Sequence, residues 1–413
     1  MHICIVEHTE NSSLHPLDHL RPIYDLRCGI FSLQEKLVRI LKPQSVSYLV
    51  RPHLLPLMSV EQQLRRESPG KADGIWFINA RTVADSGLLT AIRKAGDRET
   101  ALVNEEGFVA AYVRLQRLKK GTKGRTGARQ YAIDVPEVNI GTRTVRYPWE
   151  LMHHTAEEIE RDARLLKSGS RFNAHVHKGA HLLSKHRIWS GKGTTIMPGA
   201  VLDAGKGPII LGARVTVMPL AYIEGPCAIG DNSVVKTGAK IYHGTSIGPH
   251  CKIGGEIEAS VIQGYSNKQH EGFLGHSYLG SWVNLGADTN TSDLKNTYGP
   301  VRTFPDGKPV DTGMQFVGLT MGDHSKTGIN VMFDTGTIVG TSCNIYGASL
   351  PPKFVPSFLW GTGNSYEEYE LAKSLETARR MMSRRGINMS PAYEAAMKHV
   401  FTETRSSRSS FRH

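Results

Sequence analysis

Five of the 18 histidines in this chain lie between residues 243 and 324: His243, His250, His270, His276 and His324. Imidazole takes and releases protons near neutral pH, and its neutral form binds metals. The set therefore offers general-base catalysis or zinc ligation across subunits, and spacing alone singles out no three ligands. Cations form a second set. Arg21, Arg27 and Lys36 could hold a nucleotide triphosphate, arginine by bidentate pairing and lysine as a point charge, or could satisfy carbonyls at a domain interface. Lys236 reads as a phosphate ligand or a solvated corner lysine. The run Arg114, Arg117, Lys119, Lys120, Lys123, Arg125 and Arg129 reads as a solvated loop or a phosphate-contacting one. No aromatic residues interleave with it, which argues against nucleic acid as a partner.

The elements that must position these groups are announced by a repeat. Stepping by six from Leu211 gives Val217, Ile223, Ile229, Val235, Ile241, Ile247 and Ile253, all aliphatic. That period is neither the 3.6 of a helix nor the 2 of a simple strand. It fits a left-handed parallel β-helix, a triangular coil of about 18 residues whose aliphatic side chains stack inward between neighbouring coils. The pattern resumes at Leu279 and Leu285, then at Met321, Thr327, Phe333, Val339 and Ile345, after a register slip between Ile253 and Leu279. Residues 287–316 lack the repeat and are expected to form a loop thrown out from one corner.

Three regions follow: 1–165, 166–350 for the β-helix, and 351–413. The first reads as α/β with a mostly parallel sheet, strands at Ile3–Val6, Val46–Val50 and Ile75–Ile78, and helices near 31–41 and 60–66. Asn104–Gly107 marks a hairpin. In the last region, Ser365 and Glu368 suggest a capping box ahead of Leu371, Leu375, Ala378 and Met382. Arg384–Gly386 suggests that helix's end, and Ser390-Pro391 starts another. The tail RSSRSSFRH reads as disordered.

Composition fits a soluble globular chain, with 39% hydrophobic and 21% charged residues among 413. The net charge of +12 favours anionic partners. No stretch approaches a membrane span, and the N-terminus lacks signal-peptide features. Five scattered cysteines without a CxxC pair suggest reduced thiols in a cytoplasmic protein.

The block from Gly264 to Gly280, then Trp282-Val283-Asn284-Leu285-Gly286-Ala287 and Ser292-Asp293-Leu294-Lys295-Asn296-Thr297-Tyr298-Gly299, resembles the bifunctional enzymes that make UDP-N-acetylglucosamine. In that family a sugar-1-phosphate nucleotidyltransferase domain precedes a hexapeptide acetyltransferase. The segment from Pro16 to Gly29 resembles the N-terminal signature of a branch with a short, divergent first domain. The resemblance implies acetyl-CoA-dependent N-acetylation of an amino-sugar phosphate such as glucosamine-1-phosphate, a homotrimer, and His270 as general base. It implies that Lys236 holds the sugar phosphate and Asn284 meets the sugar or acetyl end. Asn296 and Tyr298 are the nearest candidates for a loop Asn-Tyr pair. Tyr265 and Lys268, in the same block, are expected to contact substrate. Backbone at Ala287, Gly328, Ile329, Asn330, Gly347 and Ala348 is expected to line acetyl-CoA.

Departures are equally visible. The Gly-rich triphosphate loop is absent, and Gly191-Lys192-Gly193-Thr194 lies too near the β-helix to replace it. Asn79-Ala80-Arg81 stands where the family has a metal-binding aspartate, and an arginine does not ligate Mg²⁺. Asp288 replaces a glycine and Phe273 a tyrosine. The alternatives are a sugar-1-phosphate nucleotidyltransferase with a purely oligomerising or regulatory β-helix, a histidine-ligated metalloenzyme, and a non-catalytic scaffold.

Overall fold

The computed structural model describes the chain except residues 8–12, 59–72, 115, 117–134, 167–171, 364 and 412–413. The helix expected at 60–66 and the basic positions 117–129 lie outside the described residues. Two compact units emerge. The first comprises Met1–Ser12, Arg21–Leu26 and Phe31–Arg146, the second Ser13–Leu20, Arg27–Ile30 and Tyr147–His413.

In the first unit, strands β1 (His2–Val6), β2 (Ser45–Leu49), β3 (Gly74–Asn79), β4 (Thr100–Asn104), β5 (Gly107–Arg114) and β6 (Glu137–Asn139) form one sheet in the order β2-β1-β3-β5-β4-β6. β1 is parallel to β2 and β3, and buries Ile3, Cys4, Ile5 and Val6. The sheet is mostly parallel, as expected, with β6 also parallel to β4, and the expected hairpin reverses β5 alone. Its short turn forces β4 and β5 antiparallel, and β5 also runs antiparallel to β3. Helix α1 (Leu33–Leu41) starts from a Ser32/Glu35 capping box, and α2 (Ser86–Ala95) from Asp85, whose carboxylate accepts from Leu88 N–H.

The second unit contains a parallel β-helix. Face A runs from Ile188–Ser190 to Phe354–Val355. Face B runs from His175–Val176 to Asn267–Lys268 and continues through Asn284 to Lys326–Thr327, Asn344–Ile345 and Leu359–Thr362. Face C runs from His181–Leu183 to Phe273–Gly275, followed by Asn290–Thr291 and Met332–Phe333. The stepped aliphatic residues, from Leu211 to Ile345, line the buried interior. The register slip has a structural form: coils shorten, so that Ile241 pairs with Ile257, Ile247 with Ile262 and Ile253 with Lys268. The irregular segment is a loop between Asn290–Thr291 on face C and Thr320–Met321 on face A, carrying its own small hairpin, Arg302–Thr303 against Val310–Asp311.

Face A is covered from within the same unit. Helices α3 (Pro148–His153) and α4 (Thr155–Leu165) pack on it. Pieces of the N-terminal signature join them: Ser246 Oγ donates to Gly29 O at 2.6 Å, and Tyr278 Oη meets Arg27 N and O at 2.9 and 3.0 Å.

Two expectations for the C-terminal region are corrected. Ser365–Glu368 is a strand antiparallel to Leu359–Thr362, not a capping box, because pairing to the last coil outweighs the local capping pattern. Helix α5 (Leu371–Ser383) follows it, and the turn after it closes at Gly386, with φ +69°. Ser390 caps α6 (Pro391–Glu403) by accepting from Tyr393 N–H. The described part of the tail is ordered: Arg405–Ser409 forms α7, anchored by Arg408, which is 2% exposed. Its guanidinium meets Glu368 at 3.1 Å and Phe401 O at 2.7 Å, and lies over the Phe401 ring. Among the described residues, no helix is long and apolar enough to cross a membrane. All five cysteines are buried free thiols.

Candidate active site

Each corner of the prism stacks equivalent turns into an edge. The edge between faces B and C gathers His270, Lys236, Ala287, Gly328, Ile329, Asn330, Gly347 and Ala348. His270 is exposed there. Adjacent turns are tied by backbone: Asp288 N–H donates to Glu271 O at 3.2 Å and Asn330 N–H to Ala287 O at 2.8 Å. Gly286 lies so close to the next coil that a Cβ would sit 2.1 Å from Gly328 O. Among the described residues, the N–H groups of Ala287 and Ile329 make no hydrogen bond, so they remain available to an acceptor. Ile329, Tyr346 and Leu350 add exposed apolar surface along this edge.

Lys268 was expected to contact substrate and instead points into the prism. It occupies the inward position opposite Ile253 and is 1% exposed. Its ammonium donates to the carbonyls of His270 at 2.6 Å and Glu271 at 2.9 Å. The lysine thus ties down the turn that carries His270. Burial holds its pKa down, to about 8, against the smaller opposing pull of Glu271 and Asp288.

Other expected site residues lie elsewhere. Tyr265 belongs to the A–B edge, in a ladder with His250 at 4.6 Å, Trp282 at 4.4 Å and then His324 at 6.0 Å from Trp282. All four adopt left-handed φ, near +60°, which orients successive rings alike. Asn296 and Tyr298 lie on the loop of the C–A edge, with Tyr298 70% exposed. Within one chain they do not share an edge with His270. His243 and His276 are also on that edge, His276 paired with Asp293 at 2.8 Å and His243 with Glu224 at 3.4 Å. Among the described residues, no three His, Cys, Asp or Glu side chains converge to hold a metal.

Asn284 lies on face B, where its Oδ1 accepts from Asn267 Nδ2 at 3.1 Å, and Asn267 Oδ1 accepts from Arg385 at 2.6 Å. Asn267, Lys252 and Lys326 escaped the sequence reading. They are the coil-by-coil equivalents of Asn284 on face B. That column is the signal which would have found them.

In the first unit, Glu7 directly follows β1 and its carboxylate is buried. It accepts from Ile23 N–H at 2.7 Å and from the Arg51 backbone and guanidinium at 3.0–3.3 Å. Burial pushes the Asp25 carboxyl up to about 7, with Glu7 and Glu35 adding and Arg21 opposing. Lys36 is fully buried in α1. Arg27 falls in the second unit, where its Nη1 donates to Ile30 O. The residue at the family's metal position does not suit Mg²⁺: Arg81 is a cation, 6% exposed, and Asn79 spends its amide on Phe108 O and its Oδ1 on Arg81 N–H.

Known proteins bear on this arrangement. A bifunctional protein GlmU of Methanocaldococcus jannaschii is 34% identical over 139 residues, covering 34% of this chain and 30% of that protein. One from Synechococcus is 29% identical over 183 residues, covering 44% and 35%. The chain thus spans about a third of the length of these curated relatives. A UDP-N-acetylglucosamine acyltransferase structure from Campylobacter jejuni aligns at 15% identity and a TM-score of 0.24, covering 56% of this chain and 96% of that one. Residues 3–171 match the model of the sugar nucleotidyl transferase family.

Proposed function

We propose that the β-helix acetylates an amino-sugar phosphate of the glucosamine-1-phosphate kind with acetyl-CoA, in nucleotide-sugar synthesis. The observation that carries this reading is the B–C edge. It sets an exposed imidazole, on a turn whose backbone the buried Lys268 ties down, beside stacked turns with unpaired backbone N–H groups. The sugar amine attacks the thioester carbonyl, and His270 takes the proton released as the C–N bond forms. Backbone N–H groups near Ala287 and Ile329 stabilise the oxyanion. The tetrahedral species then collapses, the C–S bond breaks, and the coenzyme A thiolate leaves and is protonated. Lys236 supplies positive charge on the same edge, and Asn284 an amide on the adjoining face. The exposed apolar side chains of this edge suit both a pantetheine arm and a neighbouring prism, which favours a homotrimer with grooves between subunits. Light scattering should give a trimer mass at micromolar concentration.

The N-terminal unit is read as binding a nucleotide or sugar phosphate. The similarity of residues 3–171 to sugar nucleotidyl transferases supports this. Arg81 at the metal position argues against ordinary Mg²⁺-assisted transfer there.

The direct test is release of coenzyme A, followed with a thiol reagent, from acetyl-CoA and glucosamine-1-phosphate. His270→Ala should lower turnover by about 10²–10⁴-fold with an unchanged melting temperature. A variant keeping more than half the activity would remove His270 from the mechanism.

A further inference from the structure

A cleft of about 400 Å³ lies between face B and the end of helix α5. Five of its lining residues are cations (Lys252, Lys326, Arg380, Arg384 and Arg385) and none is acidic. We propose that this cleft binds a phosphate-bearing ligand, with Lys252, Lys326, Arg384 and Arg385 as its clamp.

The charges are not consumed by the fold. Arg380 pairs with Glu376 along its own helix. Lys326 donates one hydrogen bond, to His324 O at 2.7 Å, and an ammonium has three donors. The side chains of Lys252 and Arg384 make no hydrogen bond or ion pair among the described residues. Arg385 is aimed by its bond to Asn267 Oδ1, which Asn284 braces in turn. Cations at a helix C-terminus complement its dipole, which would account for Arg384 and Arg385. It does not account for Lys252 and Lys326, which two different coils of face B bring to the same cleft. Burial lowers the Lys326 pKa to about 8, a cost that a bound dianion would offset. The volume falls within the range of small-ligand sites, roughly 300–1,000 Å³. Arginine forks and lysine point charges are the groups that recognise phosphate.

Acetyl transfer brings together two phosphorylated molecules, the amino-sugar phosphate and coenzyme A. The inference rests on that reading only for what the ligand does, since binding requires no turnover. The test is calorimetric titration of the full chain at pH 7 and fixed low salt with inorganic phosphate, glucosamine-1-phosphate and coenzyme A. At least one should bind, and glucosamine without its phosphate should not. Preference between the two larger compounds identifies the source of the phosphate. Lys252→Gln and Arg384→Gln should each weaken binding about tenfold, the scale of a lost charge-assisted hydrogen bond. Lys373→Gln, on the exposed side of α5 and paired with Glu370, should leave it unchanged. Phosphate binding without any turnover would sink the acetyl-transfer reading and leave the cleft standing. No binding at millimolar concentration, or variants that bind like the native chain, would overturn the cleft.

Discussion

Replacing Lys268 by methionine keeps the length of the side chain and removes a charge from inside the prism. The free lysine value is 10.5 and burial lowers it to about 8 in the folded chain. Between those values the unfolded chain binds a proton that the folded chain does not. Stability therefore rises with pH across this window, and the full penalty for burying the charge applies below pH 8. At 1.36 kcal/mol per pH unit, the gap corresponds to about 3 kcal/mol. At pH 7 the methionine variant escapes that penalty but leaves the carbonyls of His270 and Glu271 without their donor. Two hydrogen bonds from a charged donor, each worth about 1.5 kcal/mol, are lost with it, so the gain and the loss offset and the net change at pH 7 should be small. At pH 10.5 the native chain should have gained about 3 kcal/mol relative to the variant. Urea melts of both proteins at pH 7 and 10.5 measure the difference, and other titrating groups cancel. Parallel pH profiles would refute a buried, titrating Lys268. Acetyl transfer should fall in the variant at pH 7 even where the melts agree, because the His270 turn loses its tie.

Gly286→Ala should cost about 2–3 kcal/mol and cut turnover, because the added methyl meets Gly328 backbone on the next coil rather than a side chain that could move; urea melts and the thiol assay report both. Asp25→Asn should stabilise the chain more at pH 8 than at pH 4. The folded carboxyl titrates near 7 and the unfolded one near 3.8, so native stability falls as pH rises through that interval. Equal gains at both pH values would show that Asp25 ionises normally.

The six-residue period was enough to identify a β-helix and its inward positions, because a triangular coil turns one residue inward on each face in succession and stacks it on the equivalent residue of the next coil. The N-terminal strands and the Ser390-Pro391 helix start were equally legible, since apolar runs and caps act over a few residues. Which face and edge each site residue occupies was not. Between Ile253 and Leu279 the coils shorten, and only the pairing of Ile253 with Lys268 reveals that a lysine takes an inward, aliphatic position. The same count separates Tyr265 from the edge of His270, although they stand only five positions apart in sequence. Ser365–Glu368 matched a capping pattern, yet its backbone hydrogen bonds went to the last coil. Arg408 looked like one charge in a disordered tail until Glu368, forty residues away, and Phe401 of the preceding helix enclosed it. The sequence by itself determined the stacking period and the chemistry available to each turn. The tertiary structure decided which turns share an edge and which cations share a cleft, because coil length and helix docking bring together residues that no local pattern relates.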